Sequence, residues 1–441
     1  MRCKGMAPEK IKWFNSRLKW KALSKERREW RGGQVFLGLL VVGLGVVLGR
    51  CWQLQYTEAV EHQERVKHQQ LKIIPQSARR GSIVDRQGRY LAMSTRADSV
   101  RVDPYLLKDF QDTAGKLAGA LGLDEEELYG KLQERRDKRF MWVKRFINPA
   151  EAEKVRELEI RGVVLEREYQ RQYPMGQLAA HVIGYTTIDG DGLEGVEAGY
   201  DEYLRGQAGQ WHLSSDALRR PIGSQEEFQP AKDGSIVVLS IDSVIQSCVE
   251  EQLESTVEKF RASGATGIVM DPVTGEVWAM ANWPTFDPKT ARQSPAELKR
   301  NRALTDKYEP GSTFKPFTLA AALEGGHVAV GETIFCHNGN YAGKGFGKIG
   351  EYGNHGWGNL TAGEIIVYSS NIGAAKIAQK IGKKNFFQMV EKFGFGRRTG
   401  IDLAGEVAGT VRPLSQWDRG QYDLTRAAFG QGPIVERDTF P

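Results

Sequence analysis

Cysteine is scarce in this chain. There are four in 441 residues, Cys3, Cys51, Cys248 and Cys336, and no two share a paired spacing. That scatter excludes a disulfide framework. Cys336-His337 with His355 is the one grouping that suggests a metal, but no Cys-x-x-Cys or His-x-x-His accompanies it, so no metal site is expected. A broadly basic surface is lacking as well. The formal charge is +6, yet residues 1 to 33 hold eleven Lys and Arg against three Glu, which leaves the remainder near −2. Nucleic acid is therefore not indicated as a partner. Composition is otherwise ordinary for globular material, 40% hydrophobic and 26% charged, and the length suits two to three domains.

Long apolar runs are equally few. Val35 to Gly49 is the longest uncharged one, and Trp52 and Leu54 extend it past Arg50. At about 1.5 Å per residue the strict run covers roughly 22 Å, short of a ~30 Å hydrocarbon core. Snorkelling by Arg50 and an interfacial Trp52 supply the rest. A cleaved signal peptide is the rival reading, but the basic segment in front is long and no small-x-small cleavage site follows. The expectation is a signal anchor over 34–54 behind a basic cytoplasmic tail of residues 1–33. Gly45-Val-Val-Leu-Gly49 has the small-xxx-small spacing of close helix packing, although glycine is common in membrane spans. Glu58 to Gln70 then reads as a polar helical stalk.

The chemistry-bearing pattern lies further on. Gly311-Ser312-Thr313-Phe314-Lys315 is followed 57 positions after Ser312 by Ser369-Ser370-Asn371. A neutral hydroxyl is a poor nucleophile near pH 7 and needs a base. In a helix, Lys315 shares a face with Ser312, three residues away. Pro310-Gly311 breaks what precedes, Pro316 is tolerable in a first turn, Leu319 to Leu323 are helix formers and Gly325-Gly326 ends the run. Ser312 is then expected at a helix N-terminus, where backbone N–H groups favour developing negative charge. Ser369-Ser370-Asn371 precedes Ile372 to Ala378, a second probable helix. Ser-x-x-Lys alone is weak: about one or two chance matches are expected at ordinary composition, and Ser16-Arg-Leu-Lys19 is one. Spacing alone leaves open the plainer reading, in which Ser312 and Ser369 are simple N-caps.

Tyr308-Glu-Pro-Gly-Ser-Thr-Phe-Lys-Pro316 resembles the acylation motif of the class B penicillin-binding proteins, and Ser369-Ser-Asn371 their second motif. Arg80-Gly-Ser-Ile-Val-Asp-Arg86, Arg171-Gln-Tyr-Pro174, Gly192-Leu-Glu-Gly-Val-Glu197, Asp271-Pro-Val-Thr-Gly-Glu276 and Phe429-Gly-Gln-Gly432 are similar to other family segments and run in the family's order. The Glu-Asp-x-x-Phe-x-x-His segment of the class A glycosyltransferase is absent; Glu134 to Phe140 is the nearest string and lacks the His.

The resemblance implies an α/β (α+β) transpeptidase domain of the penicillin-binding/β-lactamase-like fold over 231–441, behind a non-catalytic dimerisation or pedestal module over 55–230. Strands are expected at Ser235 to Ile241 and in a hairpin, Thr266 to Met270 with Val277 to Asn282, turning at Asp271 to Gly275; helices are expected at Pro149 to Leu158 and Ser243 to Phe260. Arg80, Asp85, Arg86, Glu194 and Glu197 are expected in structural ion pairs. The implied activity is peptidoglycan D,D-transpeptidation: Ser312 attacks a stem-peptide D-Ala carbonyl, Lys315 is the base, Ser369 relays protons, Asn371 holds the substrate amide, and β-lactams acylate the same serine. No metal or organic cofactor is implied. The implied setting is the bacterial inner membrane, single-pass, with the bulk of the chain outside the cytoplasm and a cell-wall polymerase as partner.

The family's third motif, Lys-Thr-Gly or Lys-Ser-Gly, occurs nowhere in the sequence, and Pro433 to Pro441 departs from the family's continuation. The expectation is a C-terminally truncated transpeptidase with impaired activity, lacking three of five sheet strands and an oxyanion-hole donor. Two other classes stand beside it: a non-catalytic, membrane-anchored interaction partner of a polymerase, and a β-lactam sensor or hydrolase, which the long N-terminal module disfavours.

Overall fold

The computed structural model describes residues 36–57, 71–214 and 227–434. The basic tail with Cys3 and the Ser16 match, the expected stalk over 58–70, and residues 435–441 lie outside the described residues. Two compact units are present, one of Met1–Gln76 with Gly209–Pro230 and one of Ser77–Ala208 with Ala231–Pro441.

In the first unit, helix α1 (Phe36–Tyr56) is 21 residues long with a mean hydropathy of 1.8. It is long and apolar enough to cross a membrane, since ~1.5 Å per residue carries it about 30 Å. The helix continues past Gly49 through Arg50 and Trp52, so its backbone is longer than the strict apolar run. The same unit holds a small antiparallel sheet in which Gly209–Ser214 pairs with Leu71–Gln76 on one edge and Glu227–Gln229 on the other.

The second unit begins with a sheet built on one long strand. β1 (Ile83–Val84) pairs with β2 (Tyr90–Val102), which also pairs antiparallel with β3 (Met141–Ile147) and β4 (Val163–Gln172). Three helices cover it, and each start carries its own signal. Asp109 accepts from the Asp112 amide at the head of α2 (Phe110–Leu121), and Asp124 from Glu127 at the head of α3 (Glu125–Glu134). Asn148 and Glu151 form a capping box at α4 (Pro149–Glu157), with Pro149 where no N–H is missed. Leu117, Leu121, Leu128 and Leu132 pack against Val100, Val102, Met141 and Ile147, all buried. Of the expected strand at Ser235 to Ile241 only β5 (Val237–Val238) pairs, parallel to β1.

Helix α5 (Ser243–Phe260) follows, capped by Asp242. It lies on the hairpin of β6 (Ala265–Met270) and β7 (Val277–Trp283). The turn is set by Asp271, whose carboxylate accepts from Val273 and whose carbonyl accepts from Gly275 at φ +78°. Gln246, fully buried, both accepts from the Met280 amide (2.8 Å) and donates to the Met280 carbonyl (3.0 Å). A side chain thus satisfies backbone groups of β7 that β6 does not reach. Among the described residues β6 pairs with β7 alone. The remainder is largely helical around a core that includes Phe314, Ile365, Ile372, Ala375, Phe386 and Leu424.

Charge inside this unit is concentrated at Glu197, which has no solvent exposure. One carboxylate oxygen accepts from Arg80 Nε and the other from Arg171 Nε, both at 2.7 Å. Arg80 also donates to Asp201 (2.6 Å) and to the Gly190 and Glu197 carbonyls, and Arg171 to the Gly81 carbonyl. Asp85, also fully buried, accepts from the Ser243 hydroxyl at 2.7 Å and ties the β1–β2 turn to α5. Removing one partner of a buried pair strands the other charge, at about 3–5 kcal/mol. Glu197→Ala, which strands two guanidinium groups, is expected to cost at least about 3 kcal/mol, read as a fall in the urea midpoint of the detergent-solubilised protein; a loss under about 1 kcal/mol would show that the clamp is already solvated.

Candidate active site

The chain reaches Ser312 through a tight turn. Gly311–Phe314 is a 3-10 turn and α6 (Lys315–Glu324) continues it, with Pro316 in the first helical turn. Gly311 has φ +59°, open to glycine at little cost. Ser312 is exposed and its hydroxyl has no hydrogen-bond partner among the described residues, so it does not cap the helix. The turn is braced from behind: the Gly311 amide donates to the Gly430 carbonyl (3.0 Å), and Gly432 donates to Glu309 (3.2 Å). A Cβ at Gly430 would lie 2.3 Å from the Gly311 carbonyl oxygen, so the Phe429-Gly-Gln-Gly432 segment can approach the turn only with glycine there.

The second motif opens α7 (Asn371–Ile381). Its N-cap is Ser370, whose hydroxyl oxygen accepts from the Gly373 amide (2.9 Å). Ser369 is thereby released from capping. It sits at φ +52°, a left-handed conformation unfavourable for a residue with a Cβ by about 1–2 kcal/mol.

Lys315 holds this strained residue. Its side chain is 2% exposed, and Nζ donates to the Ser369 carbonyl (2.5 Å), the Ser369 hydroxyl (3.0 Å) and Asn371 Oδ1 (2.8 Å). Those three bonds use all three N–H groups of an ammonium. The expected contact between Lys315 and Ser312 is therefore not a hydrogen bond in this arrangement; the amine faces the second motif. Burial pushes the Lys315 amine down from 10.5 to about 8, against the pull of the Glu351 carboxylate in the other direction. Asn371 is fixed at its other end too, its Nδ2 donating to the Gly350 carbonyl (3.0 Å).

A cavity of about 410 Å³ lies over these groups, with Ser312, Ser369 and Asn371 in its wall and Trp357, Tyr368 and Gln431 beside them. Trp357 stacks on Tyr368 at 4.6 Å and on His355 at 5.4 Å, giving the cavity a flat aromatic side. The structure thus brings all four sequence-derived residues together: Ser312, Ser369 and Asn371 line the cavity, and Lys315 is buried against Ser369 and Asn371.

Three contributors escape a sequence reading. Ser370 carries a detectable signal, a serine just ahead of a helical run, but the adjacent Ser369 drew the assignment. Gly430 lies in a segment recognisable only by resemblance. Glu351 has no local signal; it stands in a glycine-rich stretch 18 positions before Ser369 and meets α7 only through the fold. Ser370→Ala removes both a cap and the 2.6 Å bond that Ser370 donates to Glu351. The expected loss is about 2–4 kcal/mol, measured by thermal denaturation; a change under about 1 kcal/mol would mean that water replaces the hydroxyl.

Residues 265–438 match the penicillin binding protein transpeptidase domain family, and residues 75–239 the penicillin-binding protein dimerisation domain family. The chain is 33% identical to the Stage V sporulation protein D of Bacillus subtilis (strain 168) over 82% of its own length and 56% of that protein's. It is 31% identical to the peptidoglycan D,D-transpeptidase FtsI of Escherichia coli (strain K12) over 91% of its length and 68% of that protein's. The peptidoglycan synthetase from Bifidobacterium adolescentis superposes with a TM-score of 0.62 at 25% identity, covering 82% of this chain and 70% of that one. This chain therefore spans a little over half the length of the sporulation protein and about two thirds of FtsI. The order of the two domains, the relatives that share it and the arrangement around Ser312 agree: the chain belongs to the class B penicillin-binding proteins.

Proposed function

We propose that this chain is a serine-type peptidoglycan D,D-transpeptidase working through an acyl-enzyme on Ser312. The observation that carries the reading is the buried Lys315 amine, lowered to about 8 and held between Ser369 and Asn371 behind a free serine hydroxyl. An ordinary lysine is almost fully protonated near neutrality, whereas this one has an accessible neutral form. In that form Nζ keeps two donors and gains a lone pair. The lone pair takes the Ser312 proton, directly or through the Ser369 hydroxyl, as Ser312 Oγ bonds to the penultimate D-Ala carbonyl carbon of a stem peptide. The proton passes to the nitrogen of the departing D-Ala, and an amine of a neighbouring strand then resolves the ester. Backbone amides at the 3-10 turn and the head of α6 favour negative charge on the carbonyl oxygen. Asn371, anchored by Gly350 and Lys315, orients the substrate amide. β-Lactams react with the same hydroxyl.

The reading extends to the whole chain. Residues 231–441 are its catalytic domain and 55–230 its non-catalytic module. α1 is its anchor in the bacterial inner membrane, with the N-terminus cytoplasmic and the bulk outside, beside a cell-wall polymerase. One observation favours a second reading, a non-catalytic interaction protein: among the described residues β6 pairs only with β7, and a two-stranded sheet gives a catalytic wall little support.

Labelling of the detergent-solubilised protein with a fluorescent penicillin separates the two. A covalent band that Ser312→Ala abolishes is expected; a folded but unlabelled protein supports the second reading. The labelling rate also reports the base. Only the neutral amine accepts a proton, so the rate is expected to rise with pH and level off above about 8. A profile flat from pH 6 to 10 would remove Lys315 as the base.

A further inference from the structure

Glu351 is a buried carboxylate, 8% exposed, at the lining of the cavity, and its hydrogen bonds among the described residues all go to the head of α7. It follows the strand Gly347–Gly350 and reaches the first turn of α7. Oε1 accepts from the Ser370 hydroxyl (2.6 Å) and the Ile372 amide (3.3 Å), and Oε2 from the Asn371 amide (2.6 Å). Three donors converge on one carboxylate at a helix N-terminus, where the orphan amides need acceptors. We propose that Glu351 is the positioning residue of the second motif: it pins the Ser369-Ser370-Asn371 turn to the Gly350 strand and places a fixed negative charge beside the Lys315 amine. The inference rests on the transpeptidase reading and adds to it a residue outside the three motifs.

The geometry gives Glu351 two separable effects. Positionally, it holds Asn371 from the backbone side while Gly350 and Lys315 hold its amide, so the turn is clamped on two sides. Electrostatically, its charge opposes the effect of burial on Lys315. Of the other charged groups on elements packed against α6, Lys384, Glu391 and Lys392 are exposed on the helix Lys383–Lys392, and the rest are engaged elsewhere. Lys376 donates to the Phe335 carbonyl and contacts His337, Lys380 pairs with Glu332, Lys383 donates to the Asp418 carbonyl, and Glu364 serves the Thr361 cap. Facing Glu351 itself is the Cys336 thiol, whose pKa is raised by burial and then by this carboxylate. Tyr352, His355 and Tyr368 line the cavity side.

Glu351→Gln keeps the size, loses the charge and offers one acceptor oxygen where two are used. The second-order rate of fluorescent-penicillin labelling is expected to fall about 10- to 100-fold, and its pH limb to move about one unit below the wild-type position. Glu351→Asp keeps the charge on a shorter arm; its rate is expected to fall while its limb stays near that of wild type. Lys315 titration, followed by NMR of protein labelled with 13C at lysine Cε, reads the same charge effect without any acylation. Should wild type not label, the transpeptidase reading fails on its own, and the NMR shift between wild type and Glu351→Gln still decides the present proposal. If Glu351→Gln does not fold, Glu351→Asp carries the test through its rate. A wild-type rate in either folded variant, or a Lys315 titration that Glu351→Gln leaves in place, overturns the proposal.

Discussion

Burial of a single ammonium group organises the site. Taking a lysine out of water is costly unless its charge is met, and Lys315 meets it with three oxygen acceptors and one nearby carboxylate. Each acceptor belongs to the same turn, so satisfying the lysine and shaping the turn are one requirement. The cost of the left-handed Ser369 is offset there, since its carbonyl and hydroxyl both face Nζ. The arrangement leaves the amine close enough to neutrality to accept a proton while keeping it in one place.

The second layer is the head of α7. Ser370 caps the helix conventionally, and its hydroxyl proton goes to Glu351 rather than to solvent. That chain, from carboxylate to serine to helix, sets where Asn371 begins. Gly430 does the same for the Ser312 side, since only a residue without Cβ lets the 429–432 segment lie against the Ser312 turn. Both sides of the cavity are thus positioned by contacts between segments separate in sequence.

Charge is used differently in the module ahead. Glu197 bridges Arg80 and Arg171, one carboxylate oxygen to each Nε, and the Arg80 bond joins segments more than a hundred residues apart. No nucleophile takes part in it, so it serves architecture rather than chemistry, although the buried Arg171 Nη2 has no partner among the described residues. The contrast with Lys315 is chemical: an amine lowered to about 8 can lose its proton and gain a lone pair, whereas a guanidinium offers donors only.

Much of this was legible in the sequence. The hairpin at Asp271 to Gly275, the helix from Ser243 to Phe260 and the capped helix at Pro149 follow from turn chemistry, apolar spacing and N-cap residues, all of which act within a few positions. Ser312, Lys315, Ser369 and Asn371 were nameable because two short motifs carry them. The strand expected at Ser235 to Ile241 shrank to Val237–Val238, because strand length depends on a partner and β1 offers only two residues. Tertiary structure alone decided that Ser370 rather than Ser369 caps α7, that Lys315 turns toward Asn371 rather than Ser312, and that Glu351 stands behind them. Those outcomes depend on where oxygen atoms from distant segments meet a buried charge, and no local spacing encodes that.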